Sequence, residues 1–173
     1  LVNDLLDFHR LESHKMEFNI VPFNVSSLLN EIYLSFKPMA DTKGLKFVIH
    51  EKNEEKDLLL DGDPIRIRQI ISNLLSNAIK FTSKGSVVLG YEITNDSGKY
   101  ILHCIVSDQG CGIPEADRNK LFNEFSRVSG SEGADGFGLG LAITHKLVML
   151  MNGTLSFESE VGKGSMFCVD IPL

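Results

Sequence analysis

Apolar positions along this chain change period several times, and each change marks an element. Leu1, Leu5, Phe8 and Leu11 recur at helical spacing with no capping residue ahead of them, as in the later part of a longer helix. Val2 and Leu6 widen that apolar face, so the segment is expected to pack on a partner helix or on the domain. Met16 to Phe23 alternates and carries Pro22, which predicts an edge strand. Asn24-Val25-Ser26-Ser27 offers caps for a helix from about Leu28 to Ala40, and Thr42-Lys43-Gly44 turns the chain. Strands are expected over Leu45 to Glu51 and Asp57 to Leu60, separated by a charged turn at Asn53 to Lys56.

Asp63-Pro64 then caps a long helix reaching Phe81, whose core face is Ile67, Ile70, Ile71, Leu74, Leu75 and Ala78. Ser86 to Asn95 and Lys99 to Asp108 predict two strands joined by a hairpin turn at Asp96-Ser97-Gly98. Tyr100 to Val106 is apolar at nearly every position and predicts a strand buried on both faces. Pro114 opens a segment with helical spacing from Glu115 to Phe125. Ser126 to Gly136 is almost without apolar groups and predicts a mobile loop. A helix follows, with Leu139, Ala142, Ile143, Leu147 and Leu150 as its apolar face, and a last hairpin turns at Val161 to Gly164.

At 173 residues, 43% hydrophobic and 23% charged, the chain suits one domain with a sizeable core. A net charge of −6 argues against a nucleic-acid surface, and the apolar runs are too short to cross a bilayer. A cytoplasmic domain without membrane contact is therefore expected. Cys104, Cys111 and Cys168 lack metal-ligand spacing and read as buried, reduced thiols. The five histidines form no zinc signature.

Three stretches carry candidate chemistry. Asp108-Gln109-Gly110-Cys111-Gly112 puts one carboxylate at a strand end, beside a turn with little side-chain bulk. A flat ligand can lie there with an amine donating to the acid, and adenine fits that description. An ordinary strand-turn connection explains the same residues. Asn73, Asn77 and Lys80 stand at i, i+4 and i+7 on a second face of their helix. Amide oxygens suit a hard divalent cation and a lysine suits a phosphate, although a solvated polar face is the plainer alternative. Gly136-Phe137-Gly138-Leu139-Gly140 opens the late helix, where free amides and the dipole favour an anion, although a simple loop-to-helix transition explains the same glycines.

In this order the stretches resemble the ATP-binding catalytic domain of sensor histidine kinases, which shares its nucleotide fold with DNA gyrase B, heat-shock chaperone ATPases and MutL. Asn73 to Thr82 is similar to the family's N box, Asp108 to Gly112 to the first glycine box, and Phe122 to Phe125 to the F box. Gly136 to Leu141 is similar to the second glycine box and Gly162 to Ser165 to the last glycine turn. Leu1 to Glu12 resembles the end of the second helix of the dimerisation and phosphoacceptor hairpin. Residues 1–16 would belong to that helix and residues 17–173 to the catalytic domain.

The resemblance implies a two-layer α/β (α+β) sandwich, a mixed and mainly antiparallel sheet with three long helices on one face. It implies ATP and Mg²⁺ as cofactors, with Asp108 holding the adenine amine and Gly110 and Gly112 leaving room for the base. Asn77 would bind Mg²⁺, Asn73 would lie near the transferring group as the catalytic residue, and Lys80 would meet phosphate. Phe81, Ile113, Arg127, Gly136, Gly138, Leu139, Gly140 and Ser165 would complete the nucleotide contacts, with Ser126 to Phe137 as an ATP lid. The reaction implied moves the γ-phosphoryl group to a histidine for relay to a response-regulator receiver domain, within a homodimeric parent.

Three departures qualify the resemblance. His9 is followed by Arg-Leu-Glu and His14 by Lys-Met-Glu, so neither has the surroundings of the phosphoacceptor. Arg127 is the lone cation of the Ser126–Phe137 stretch, which also holds Glu132 and Asp135, and Phe137 stands where the family has a small residue. A regulatory domain with a degenerate site is one alternative. A gyrase-type ATPase is another, but such enzymes carry a glutamate base where Ser72 and Asn73 stand here, so hydrolysis is expected to be slow.

Overall fold

The computed structural model describes residues 16–52, 58–123 and 138–173. The first helix with His9 and His14, the Asn53–Lys56 turn, Phe125, and the Ser126–Phe137 stretch with Arg127 and Gly136 lie outside the described residues.

Two capped helices frame the first half of the domain. β1 (Val21–Asn24) runs straight into α1 (Val25–Thr42), where the Asn24 side chain accepts from Ser27 N at 2.7 Å. The helix ends at Thr42, Gly44 (φ +68°) turns the chain, and Leu45 N returns to Ala40 O at 2.9 Å. β2 (Lys46–Glu51) and β3 (Leu59–Gly62) follow, the latter pairing antiparallel with β1 as a separate two-stranded ribbon. At the start of α2 (Pro64–Phe81) the Asp63 side chain accepts from Ile65 N and Arg66 N, both at 3.1 Å. Its other oxygen accepts from Asn19 N at 3.0 Å, so the cap also holds the chain leading into β1.

The main sheet contains β4 (Ser86–Asp96), β5 (Lys99–Asp108), β6 (Thr154–Glu160) and β7 (Gly164–Pro172), in the order β2-β4-β5-β7-β6. Only β2 and β4 are parallel, so the sheet is mixed and mainly antiparallel as expected. The β4–β5 hairpin closes through Ser97 (φ 55°) and Gly98 (φ 86°), the two positive values that a tight two-residue turn requires. Two shorter helices follow among the described residues, α3 (Glu115–Arg118) and α4 (Gly140–Leu150).

One sheet face carries the core. Val87 and Leu89 of β4, Leu102 and Val106 of β5, and Val169 and Ile171 of β7 are all fully buried, with Ile67, Ile71, Leu75 and Ile143 of the helices. This corrects the reading of Tyr100 to Val106 as buried on both faces. Among the described residues helices cover only one side, so the register places Val88, Ile105 and Cys168 on the other, and Ile105 is 36% exposed. Other expectations also change. The helix after Pro114 stops at Arg118, because the turn at Lys120 and Leu121 drives Leu121 into the core. On α4, Leu150 is exposed while Thr144 and Val148 are buried. Among the cysteines, all free, Cys104 is buried but Cys111 is exposed.

The β6–β7 turn meets the end of β5 at van der Waals limits. A Cβ on Gly164 (φ +120°) would lie 1.9 Å from Asp108 O. Gly44 shares the positive φ, yet a Cβ there would meet nothing within 4 Å. Gly164→Ala should therefore lower the unfolding free energy by about 3 kcal/mol or more, and Gly44→Ala by about 1 kcal/mol. Chemical denaturation of the two variants checks this; equal losses would contradict it.

Candidate nucleotide site

The site forms where β5 ends. Asp108 is paired with Ser165 of β7 and Val87 of β4, so its position is set by the middle of the sheet. Its carboxylate accepts from Gly110 N at 2.8 Å, an Asx turn that bends the chain away from the strand. Gln109 Oε1 accepts from Ser86 N at 2.9 Å and from Ser86 Oγ at 3.0 Å, which fastens the turn to the start of β4.

The two glycines that follow meet backbone on opposite sides. A Cβ on Gly110 would lie 2.6 Å from Phe81 O at the end of α2, and one on Gly112 (φ +72°) 2.2 Å from Glu160 O. Gly162 N donates to Cys111 O at 2.8 Å, and Ile113 N donates to Ser159 Oγ at 2.8 Å. The segment is thus clamped between α2 and the β6–β7 turn. This differs from the expected role of clearing space for a base: Gly112 does border the cleft, but Gly110 faces Phe81 instead.

Beside this clamp lies a cleft of about 240 Å³. It brings together Asn77, Phe81, Asp108, Gly112, Ile113 and Ser165 of the expected site residues. Ala78, Cys111, Pro114, Leu121, Leu141, Val161 and Phe167 complete the wall. Most of these are apolar, so the wall suits a flat aromatic group with few polar edges. Burial pushes the Asp108 carboxyl above its ordinary range, opposed by hydrogen bonds from the Gly110 and Ser165 backbones. A partly desolvated acid at the end of a mostly apolar slot selects a ligand with a donor at one edge.

The other expected residues that are described stand beside the cleft rather than on its wall, while Arg127 and Gly136 lie outside the described residues. The Asn73 amide donates to Gly140 O and to Thr144 Oγ1, each at 3.2 Å, which ties α2 to the first turn of α4. Lys80 Nζ lies 5.2 Å from the centre of the Phe81 ring. Leu139 is 4% exposed and its side chain belongs to the core, leaving only its backbone for a ligand. Gly138 has φ 71°, and no side chain of the described residues caps α4, so among them the amides around Gly138 and Gly140 present an uncapped helix start.

Sequence reasoning missed several supports. Lys43 Nζ donates to Ile79 O at 2.6 Å and Lys80 O at 3.0 Å, capping the end of α2 from the residue that follows α1. Ser159 joins the clamp through Ile113 and Ser165 Oγ at 2.9 Å. Phe122 stacks on His145 at 4.9 Å and meets Phe157 edge-on at 5.7 Å, the contacts of a packing residue. Only the tertiary arrangement makes these partners neighbours.

Two observations bear on a cation. No group of three or more His, Cys, Asp or Glu able to hold a metal occurs among the described residues. A hard cation here would thus take its oxygens mainly from the ligand's phosphates, supplemented by amide oxygens such as that of Asn77 on the cleft wall. No helix among the described residues is long and apolar enough to cross a membrane.

Known proteins share this architecture. Residues 62–173 match the family model described as Histidine kinase-, DNA gyrase B-, and HSP90-like ATPase. The whole chain aligns at 38% identity with the signal transduction histidine-protein kinase BarA of Escherichia coli (strain K12). It aligns at 40% with the virulence sensor protein BvgS of Bordetella bronchiseptica. It spans 19% of the former's length and 14% of the latter's. Among solved structures, full-length ShkA in complex with AMPPNP superposes with a TM-score of 0.83 at 32% identity, over 98% of this chain and 34% of ShkA. The catalytic domain of histidine kinase ThkA superposes at 0.71 and 28% identity, over 90% of this chain and 98% of that one. The chain therefore belongs to the histidine kinase-, DNA gyrase B- and HSP90-like ATPase family, as an ATP-binding catalytic domain of the sensor histidine kinase type.

Proposed function

We propose that this domain binds ATP with Mg²⁺ and positions the γ-phosphoryl group for transfer to a histidine on a dimerisation hairpin. Residues 1–16 form the end of that hairpin's second helix and residues 17–173 the catalytic domain. The phosphoryl group passes on to a response-regulator receiver domain, and the parent works as a homodimer with this domain in the cytoplasm. The observation that carries the reading is Asp108, a partly buried carboxyl at the end of an apolar cleft that also exposes Asn77.

The residues divide the work by chemistry. Asp108 accepts a hydrogen bond from the adenine amine, while Phe81, Ile113 and Gly112 wall the base and Ser165 adds a hydroxyl beside the acid. Asn77 offers an oxygen to the cation, which offsets phosphate charge when the nucleotide is bound. Lys80, Arg127 and the amides of Gly136, Gly138, Leu139 and Gly140 meet phosphate oxygens. Asn73 lies at the junction of α2 and α4, nearest the reacting end. Phosphoryl transfer needs in-line positioning and charge neutralisation, and these groups supply both without a covalent intermediate.

Asp108 makes opposing demands on stability and binding. Its raised pKa means the folded state holds the proton more tightly than the unfolded state does. Ionisation thus costs stability once pH rises through the folded pKa, while the same ionisation creates the acceptor for adenine. Asp108→Asn should raise the melting temperature at neutral pH and abolish saturable ATP binding in a calorimetric titration. In the unaltered domain, ATP affinity should fall as pH drops through a midpoint above the usual aspartate range. A variant that binds ATP as before would remove Asp108 from the site.

The transfer step has a separate test. In a full-length parent carrying this domain, radiolabelled phosphate from γ-labelled ATP should appear on histidine, and Asn77→Ala should reduce it at least about tenfold. Labelling that is absent from the unaltered parent would leave a nucleotide-binding regulatory domain as the function.

A further inference from the structure

Asn73 is the expected site residue whose side chain is most committed within the protein. Its amide nitrogen has two hydrogens, and both are used: one bond reaches Gly140 O and the other Thr144 Oγ1, each 3.2 Å long. Neither bond engages Oδ1. Turning the amide over would set that oxygen against the Gly140 carbonyl, acceptor against acceptor, so the two contacts select one orientation. Thr144 is fully buried on α4, one turn beyond Gly140. Nothing in the local sequence around Asn73 points to it, since the two residues are 71 positions apart.

Orientation decides what Asn73 can offer a ligand. With the nitrogen turned toward α4, the remaining polar atom is an oxygen, an acceptor suited to a hard cation or to water bound to one. Asn77 stands one helical turn further along the same face of α2 and borders the cleft. A pair of amide oxygens in that relation can serve one divalent cation; an oxygen paired with an NH₂ group cannot.

We infer that Thr144 is a positioning residue for the cation: it locks the Asn73 amide with its oxygen available, so that Mg²⁺ strengthens nucleotide binding through Asn73 as well as Asn77. This rests on the ATP-binding reading above and adds to it a residue outside the cleft. It also separates Asn73 from a simple ligand role, because a carboxylate could replace an amide as a cation ligand but cannot donate to Gly140 and Thr144.

The test is a calorimetric titration of ATP, with Mg²⁺ and with chelator, into the unaltered domain, Thr144→Val and Thr144→Ser. Thr144→Val keeps the side-chain volume and removes the acceptor. It should bind ATP in chelator as the unaltered domain does, yet lose about fivefold of the enhancement by Mg²⁺, the worth of one hydrogen bond. Thr144→Ser should restore the enhancement. If Thr144→Val does not fold, Asn73→Asp carries the test: the enhancement should fall even though a carboxylate is the stronger cation ligand.

Full enhancement in Thr144→Val, or an equal loss with and without Mg²⁺, would overturn the inference and leave Thr144 a packing residue. A gain of enhancement in Asn73→Asp would do the same. Failure of the unaltered domain to bind ATP under either condition is a different result, and it would sink the nucleotide reading together with this one.

Discussion

The candidate site depends on how closely three pieces of backbone can approach. The turn after β5 lies between the last carbonyls of α2 and the β6–β7 turn, at distances that leave no room for a Cβ on Gly110, Gly112 or Gly164. Main-chain hydrogen bonds from Cys111 and Gly162, at 3.4 and 2.8 Å, then hold the pieces in register. Because backbone rather than side chains makes the contact, few rotamers are available to absorb an error. The arrangement fixes Asp108 at the end of the sheet and holds the cleft wall open beside it, before any ligand arrives.

Energy flows from that constraint to the chemistry. A helix-and-sheet core buries Ile67, Ile71, Leu75, Val106 and Val169 completely, and this supplies the stability that the site draws on. The site draws on it by keeping a carboxyl partly out of water and, among the described residues, by leaving the start of α4 without a side-chain cap. Each choice weakens the empty fold and favours a ligand with a donor edge and a negatively charged tail. Adenine linked to phosphates has both, and the opposed signs of stability and binding at Asp108 express the same trade.

How much of this was legible in the sequence depends on whether a residue's partner lies nearby in the chain. The caps at Asn24 and Asp63, the hairpin turn at Ser97-Gly98 and the N-box helix were readable because turn and cap chemistry is local. Asp108 was readable as a strand-end acid, and the order of motifs identified the family. The purpose of Gly110 was not, because it depends on Phe81 O, a contact only the fold creates. Thr144, Lys43 and Ser159 escaped for the same reason. The open face of β5 was misread because a strand with Ile101, Ile105 and Cys104 looks uniformly apolar, and periodicity cannot reveal that helices cover one side alone. The helix after Pro114 was overextended, since Leu121 and Phe122 keep helical spacing while a turn takes them into the core.

The central claim is that Asp108 reads the amine edge of adenine. Titrating ATP and inosine triphosphate side by side, with Mg²⁺, isolates that contact, since the two ligands share ribose and phosphates. Inosine carries an oxygen where adenine has its amine, which sets acceptor against carboxylate. The account predicts that ATP saturates the site and that inosine triphosphate binds at least about a hundredfold more weakly, as expected when a partly buried charged acceptor loses its partner. Equal affinities would show that the base is held by the cleft's apolar wall alone, and would contradict the account.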